Sequence, residues 1–283
     1  MKLVVFLFTL CFTSAATFRI CSFNIQSFGE AKCAKPEVMN VIVKVVSRCD
    51  IMLLMEIKCN TGKVIKTLME KLNSQPETKD EFSFIISNRL GRKTYKEQYA
   101  FIYRKQLVAV KDIYQYLDHQ DGDADAFSRE PFVVWFQTYK RDFVIIPQHT
   151  TPEAAVREID ELYDVYLDVK QKWKTENFIF MGDFNAACRY VSKKKWKNIR
   201  LRTNQEFAWL IEDNIDTTVK SSTKCAYDRI VLHGTKLINS VVPGSATAFD
   251  FMTAYGLTEA QALEISDHYP VEFQMTEMRK MKV

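Results

Sequence analysis

No stretch of this chain is rich in proline, glycine or serine, and no segment repeats another. An interdomain linker is therefore missing, and one domain is the organisation expected of 283 residues. There is no Cys-x-x-Cys pair and no histidine-rich cluster, which argues against a zinc framework. No Asn-x-Ser/Thr acceptor for N-linked sugar occurs. Past the first residues, no run is long and apolar enough to cross a bilayer. Charge of either sign is also scarce in excess: +4 is compatible with an anionic partner but does not demonstrate one.

What is present divides into three parts. Lys2, the apolar run Leu3 to Phe12 and the small residues Thr13-Ser-Ala-Ala16 have the form of a secretory signal peptide. Cleavage after Ala16 would leave a soluble, secreted chain starting at Thr17. Residues 17–276 are read as a single domain and 277–283 as a short basic tail. Six of the seven cysteines then fall in the mature chain, on a route where disulfides form. Sequence does not fix their pairing.

The body alternates strand-like apolar runs with helical stripes. Runs occur at Phe18 to Phe23, Ile51 to Met55, Tyr99 to Tyr103, Phe132 to Phe136, Phe143 to Ile146, Phe178 to Met181, Ile230 to Leu232 and Tyr269 to Met275. Helical stripes lie in Pro36 to Arg48 and Thr61 to Leu72. A third is expected after Thr151, with that residue as cap and Pro152 as first helical position. Phe207, Leu210 and Ile211 suggest a short further helix. The class is α/β or α+β in packed layers.

Four of these strands end on polar residues: Asn24, Glu56, His149, and Asp183 with Asn185. Two begin just after one: Asp228, and Asp267 with His268. Ends and starts of antiparallel neighbours share a rim, so these groups can form one pocket. Hard oxygen ligands such as Glu56, Asp183 and Asp267 suit Mg²⁺. Two histidines can divide the proton work of phosphodiester cleavage, each oriented by a carboxylate, for which Glu97 and Asp228 are available. Asn24 and Asn185 can bond a phosphate without adding charge. His119 and His233 are read as surface or internally satisfied side chains.

At these residues the chain resembles the deoxyribonuclease I family, and its gamma branch in particular. The resemblance rests on Arg19-Ile-Cys-Ser-Phe-Asn24, Met55-Glu-Ile-Lys58, Thr94-Tyr-Lys-Glu-Gln-Tyr-Ala-Phe101, Phe127-Ser-Arg-Glu-Pro131, Met181-Gly-Asp-Phe-Asn-Ala186, Cys225-Ala-Tyr-Asp-Arg-Ile230 and Ser266-Asp-His268. It implies a four-layer α/β/β/α sandwich with the site on top. It implies an endonuclease of double-stranded DNA that needs Mg²⁺ and Ca²⁺, with Mn²⁺ as a substitute, and leaves 5′-phosphate and 3′-hydroxyl ends. Carried over, His149 pairs with Glu97 and His268 with Asp228, their acid and base roles left open. Asp183, Asn185 and Tyr95 join the catalytic set, and Asn24, Glu56 and Asp267 bind metal and phosphate. Tyr95, Lys58, Arg129 and Tyr190 contact DNA. Structural calcium is implied at Asp121, Asp125 and Glu130, and at Asp216, Thr218 and Thr223. Cys188 and Cys225 match the family's main disulfide, which closes a loop worth about 3–4 kcal/mol in the chain-entropy model.

The chain departs from the family in several places. Gln26 stands where Arg is common. Lys58 keeps the charge of an Arg but loses its fork. The tail Met278 to Val283 is shorter than the gamma branch's basic extension, which leaves chromatin cleavage in question. Phe84 and Phe132 alter the surface used for actin, so actin binding is expected to be weak or absent. No stable membrane association is expected, and the protein should be a monomer. The Lys193 to Lys197 run is open to three readings: nuclear import, a DNA-facing strip or a solvated face. Two other functions compete: a lipid or inositol phosphoesterase on the same fold, and a non-enzymatic binding relative.

Overall fold

The computed structural model describes residues 17–118 and 125–276. The signal-like segment, the tail, His119 and Asp121 lie outside the described residues.

Twelve strands are ordered β1 (Thr17–Phe28), β2 (Ile51–Ile57), β3 (Phe82–Ile86), β4 (Gln98–Arg104), β5 (Ala109–Gln115) and β6 (Phe132–Gln137), then β7 (Asp142–Pro147), β8 (Phe178–Asp183), β9 (Phe207–Trp209), β10 (Asp228–His233), β11 (Thr247–Ala248) and β12 (Val271–Thr276). They form two six-stranded sheets, β11-β12-β1-β2-β4-β3 and β5-β6-β7-β8-β10-β9. The helices are α1 (Glu30–Cys33), α2 (Pro36–Ser47), α3 (Lys63–Ser74), α4 (Ala155–Trp173), α5 (Arg200–Thr203), α6 (Thr235–Ile238), α7 (Phe251–Ala254) and α8 (Glu259–Ile265).

Side-chain parity builds the layers. Successive residues of a strand face opposite ways. Ile51, Leu53 and Met55 of β2 join Ile179 and Met181 of β8, Ile230 and Leu232 of β10 and the alternating Val271, Phe273 and Met275 of β12 in one buried cluster between the sheets. Met52 and Leu54 turn the other way, into a cluster with Val45 of α2 and Leu68 of α3. Phe178, Phe180 and Val231 face Ile159, Leu162 and Val169 of α4. Three apolar layers separate four layers of backbone, the α/β/β/α sandwich expected.

Several expectations are corrected. Residues 207–209 are the edge strand β9, paired with Val231 to His233, and not a helix. The 207, 210, 211 spacing fits a helix, but the open edge of β10 captures the backbone. Helix α4 begins at Ala155, not at Pro152. Thr151 instead donates its N–H and hydroxyl to the buried Glu158 carboxylate. Strand β8 runs past the apolar run Phe178 to Met181, through Gly182 to Asp183. Phe132 is only 7% exposed and packs against Phe101, so it cannot alter a surface. Strand β5 has no counterpart in the apolar pattern, because it is an edge strand with mostly exposed side chains.

Cys188 is bonded to Cys225, and Cys21 at the start of the chain to Cys49 beyond α2. Cys33 and Cys59 are free thiols. Denatured, non-reduced protein starting at Thr17 should therefore titrate two thiols with a chromogenic disulfide reagent. Four would show that a bond is missing, and none would show that Cys33 and Cys59 also pair.

Candidate active site

Parity and strand direction together deliver the site. Strands β1 and β2 are parallel, as are β7 and β8, while β10 runs antiparallel to β8 and β4 to β2. The final residues of β1, β2, β7 and β8 thus share one rim with the first residues of β4, β10 and β12. On that rim Asn24 continues the face of Phe18 and Ile20, and Glu97 continues that of Tyr99 and Phe101. His149 follows Phe143 and Ile145, and Asp183 follows Ile179 and Met181. Asp228 precedes Ile230 and Leu232. All five polar side chains lie where the next apolar residue of the inter-sheet core would be, and all are buried. Glu56 breaks the rule. Its parity would send it toward the helices with Met52 and Leu54, but a left-handed backbone (φ 61°) redirects it.

The centre is Asp183. His149 Nε2 lies 3.5 Å and His268 Nε2 3.6 Å from its Oδ2. Asn24 Nδ2 donates to the same oxygen at 3.1 Å and to Glu56 Oε1 at 3.2 Å. On the far side of each ring, His149 Nδ1 meets Glu97 Oε1 at 2.6 Å and His268 Nδ1 meets Asp228 Oδ2 at 2.7 Å. An ionised carboxylate only accepts, so each Nδ1 carries the hydrogen and each Nε2 faces the pocket.

Electrostatics follow from burial and pairing. Burial, and the Arg129 charge, act to lower the His149 imidazole, but Glu97 together with Asp183 leaves the group above its ordinary value. Burial also opposes charge on His268, and Asp228 with Asp183 raises it well above that value. Burial acts to raise Glu56, yet His149, the Ser27 N–H, Lys58 and Asn24 together bring it down to about 2. The Glu56 carboxylate is therefore ionised at any ordinary pH.

The other expected residues are placed as follows. Tyr95, 46% exposed at the pocket mouth, donates to Glu97 Oε2 at 3.1 Å. Lys58 reaches Ser27 Oγ (2.8 Å), Glu56 (3.3 Å) and the Tyr95 ring face (4.4 Å). Arg129 is buried, not displayed. Its Nε donates to the His149 carbonyl at 2.8 Å and lies 3.3 Å from Glu97, so it braces the His149 pair. Asn185, with φ 48°, donates to the Thr150 carbonyl at 3.1 Å. Tyr190 packs at a tilt against Tyr227, whose ring is 6.2 Å from that of His268. Asp267 is partly exposed at the rim, with Oδ1 3.9 Å from His268 Nε2.

Asp216, Thr218 and Thr223 do come together, beside the strand start that carries His268, with which Thr218 forms a β-bridge: Thr218 donates through N and Oγ1 to Asp216 and through Oγ1 to the Thr223 carbonyl. Asp125 pairs with Arg92 at 3.2 Å, and the Glu130 carbonyl accepts from Gln115. His233 is internally satisfied, bonding Tyr166 and the Glu176 carbonyl.

Supporting residues escaped the sequence reading. Thr217 Oγ1 donates to Asp228 Oδ2 at 2.8 Å, and the Tyr99 hydroxyl accepts the His149 N–H at 2.9 Å. Arg229, fully buried, donates to the carbonyls of Ala186, Ile211 and Ala226 and pairs with Asp213. Burial lowers its guanidinium to about 10 against that pairing. It ties the Asp183–Asn185 turn to the start of β10. A hydroxyl or a buried arginine has no periodic signal, so only contacts reveal them.

The donor set fits a hard divalent cation. Asp183, Asp228 and His268 place ligand atoms within 4.8 Å of one another. The buried Asp228 Oδ1 lacks a hydrogen-bond donor. The carboxylates of Glu56 and Asp267 and the Asn24 amide complete an oxygen-rich rim.

Comparison with known proteins gives the family. Residues 21–268 match the model of the Endonuclease/Exonuclease/phosphatase family. The chain is 62% identical to human deoxyribonuclease gamma, covering 94% of this chain and 88% of that protein. Rat deoxyribonuclease-1 is 50% identical, covering 91% of each. Among solved structures, a Bacteroides vulgatus endonuclease/exonuclease/phosphatase superposes with TM-score 0.62 at 16% identity, over 93% of this chain and 100% of that one. A Bacteroides thetaiotaomicron mannosyl-6-phosphatase does so with TM-score 0.60 at 16%, over 90% and 98%. The fold alone thus spans different phosphate esters, whereas identity in sequence narrows the assignment. The chain belongs to the endonuclease/exonuclease/phosphatase family and, within it, to the deoxyribonuclease I group with the gamma enzymes.

Proposed function

We propose that this protein is a secreted, divalent-metal-dependent endonuclease that hydrolyses DNA phosphodiester bonds with little sequence preference, leaving 5′-phosphate and 3′-hydroxyl ends. The observation that carries this reading is the pair of imidazoles. Each is held at Nδ1 by a buried carboxylate and each presents Nε2 to one oxygen of Asp183. A group that accepts a proton on one side of a phosphate and one that donates on the other is what in-line hydrolysis needs.

In this mechanism one imidazole takes the proton of the attacking water at Nε2, and the other delivers a proton to the leaving O3′. Glu97 and Asp228 hold the rings and stabilise the cationic form as it develops. Asn185 orients a phosphate oxygen through its amide, while Asn24, whose two amide hydrogens go to Asp183 and Glu56, holds those carboxylates in place. A Mg²⁺ or Mn²⁺ ion held by Glu56, Asp183, Asp267 and Asn24 would neutralise phosphate charge and polarise the ester. Calcium would sit structurally at Asp216, Thr218 and Thr223, and at Asp125 and Glu130 with Asp121.

Double-stranded DNA would lie across the rim over Tyr95, Lys58 and Tyr190, with the exposed lysines of the Lys193 to Lys197 run, inside the loop closed by Cys188–Cys225, offering further phosphate contacts. Arg129 would act from beneath. Contacts to phosphate and groove shape carry little sequence information. Export through the endoplasmic reticulum agrees with the two disulfides. The proposed enzyme acts as a monomer. With Phe132 buried, weak actin binding now rests on the partly exposed Phe84.

The test is conversion of supercoiled to nicked plasmid by the purified protein with Mg²⁺ and Ca²⁺. Chelator should abolish it. A folded protein that leaves plasmid intact but hydrolyses a lipid headgroup or inositol phosphate would overturn the DNA reading.

A further inference from the structure

Lys32, in the short helix α1, is half-buried, and its ammonium is surrounded by main-chain oxygen. It donates to the carbonyls of Ile25 at 2.7 Å, Gln26 at 2.5 Å and Ile265 at 2.6 Å. An ammonium has three hydrogens, and all three are used. Two of the acceptors lie where β1 turns left-handed, at Gln26 (φ 45°) and Ser27 (φ 54°). The third is the last residue of α8, whose terminal carbonyls have no helical partners.

These two segments come from opposite ends of the chain, and both run directly into the site. Asn24 immediately precedes the first; Asp267 and His268 immediately follow the second. The first also holds Glu56, through the Ser27 N–H at 2.8 Å. One further link joins them: Ser266 Oγ donates to the Asn24 carbonyl at 2.6 Å and accepts the His268 N–H at 3.0 Å.

We infer that Lys32 is a positioning residue whose ammonium pins the β1 turn to the end of α8 and thereby sets the spacing between Asn24 and Glu56 on one side and Asp267 and His268 on the other. Without it, three carbonyl oxygens face one another with no donor between them, which costs free energy and drives the segments apart. The carbonyls converge on one nitrogen from different directions. A compact ammonium satisfies that geometry, and a planar guanidinium does not. Attraction of DNA is the competing role for a cation beside the site, but every N–H of Lys32 is already spent on the protein. Burial among these groups lowers its pKa to about 8, with Glu56 and Asp267 resisting, as expected of a cation enclosed by the fold.

The inference rests on the metal-dependent hydrolase reading, and the experiment separates the two. Lys32→Met, Lys32→Arg and Lys32→Gln are compared with the parent protein for folding by circular dichroism, for Mg²⁺ binding by titration calorimetry and for kcat and KM in plasmid nicking. The expected result is folded Met and Arg variants, each with a loss of about 10–100-fold in Mg²⁺ affinity or kcat, as for other residues that orient ligands, and a nearly unchanged KM for DNA. Full activity in Lys32→Arg would show that only charge matters and would overturn the inference. So would unchanged Mg²⁺ affinity and kcat in Lys32→Met. If the Met variant does not fold, Lys32→Gln, which keeps two donors, decides by the same measurements. A parent protein that binds Mg²⁺ but cuts no DNA would sink the hydrolase reading, while the calorimetric comparison would still judge Lys32.

Discussion

Alanine at His149 and alanine at His268 should each slow plasmid nicking by about 10²–10⁴-fold, the range for loss of a general acid or base. The double variant should lose little more than the worse single one, because groups that act in one step are not additive. The geometry leads to this expectation. Both Nε2 atoms point at Asp183 Oδ2, from 3.5 and 3.6 Å, so one phosphate seated there lies between them. Their supports differ in kind. Glu97 is backed by Arg129 at 3.3 Å and by Tyr95, whereas Asp228 is backed by Thr217. Asp228→Asn should therefore behave nearly like His268→Ala, since an amide at that position cannot stabilise the imidazolium and favours the other tautomer. Rates from single-turnover nicking at saturating Mg²⁺ would check both points. Two losses that multiply would mean that the histidines serve separate steps, and near-parental activity in either single variant would remove that residue from the chemistry.

Much of this arrangement was legible in the sequence because polar residues at strand ends interrupt an apolar period. Asn24, His149, Asp183 and Asp228 each fall where the inter-sheet alternation would place another core residue, so the pattern that marks the strands also marks the site. Glu97 was visible only as a spare acid, although parity from Tyr99 and Phe101 puts it on the same rim. Glu56 could not have been placed by parity at all, since its left-handed backbone reverses its direction. Segment 207–211 misled for a related reason: three apolar residues at helical spacing say which side is buried, but not that β10 has an unpaired edge beside them. Arg129 is a DNA contact by resemblance, yet it is buried, and the neighbouring Glu97 charge compensates it. Lys32 and Thr217 carry no pattern, because what they bind is main chain or a single carboxylate distant in sequence. The pairing of Cys21 with Cys49 is likewise a matter of how α2 folds back on β1, which spacing does not determine.

Gly182→Ala should be the most damaging change outside the histidines, with a loss on the order of 4 kcal/mol from backbone strain and overpacking together. Gly182 has φ 144°, a conformation that side-chain-bearing residues avoid. A methyl group there would sit 2.0 Å from the Gln148 carbonyl oxygen and 3.0 Å from its carbon. Neither neighbour can yield cheaply. Gln148 N donates to the Met181 carbonyl and Thr150 N to the Asp183 carbonyl, so the two chains are laced together on both sides of the contact. Glu158 holds the Gln148 side chain from below. The same lacing brings His149 alongside Asp183, so any shift that admits the methyl group also opens the catalytic spacing. Displacement by about 1 Å costs on the order of 10²-fold in rate where groups must be aligned. The variant should show a large fall in the midpoint of urea unfolding, and its folded fraction should nick plasmid far more slowly than the parent. Stability within about 1 kcal/mol of the parent, the scale of an ordinary surface change, together with normal nicking, would mean that the β7 extension and β8 can separate freely and that the close approach is not what aligns His149 with Asp183.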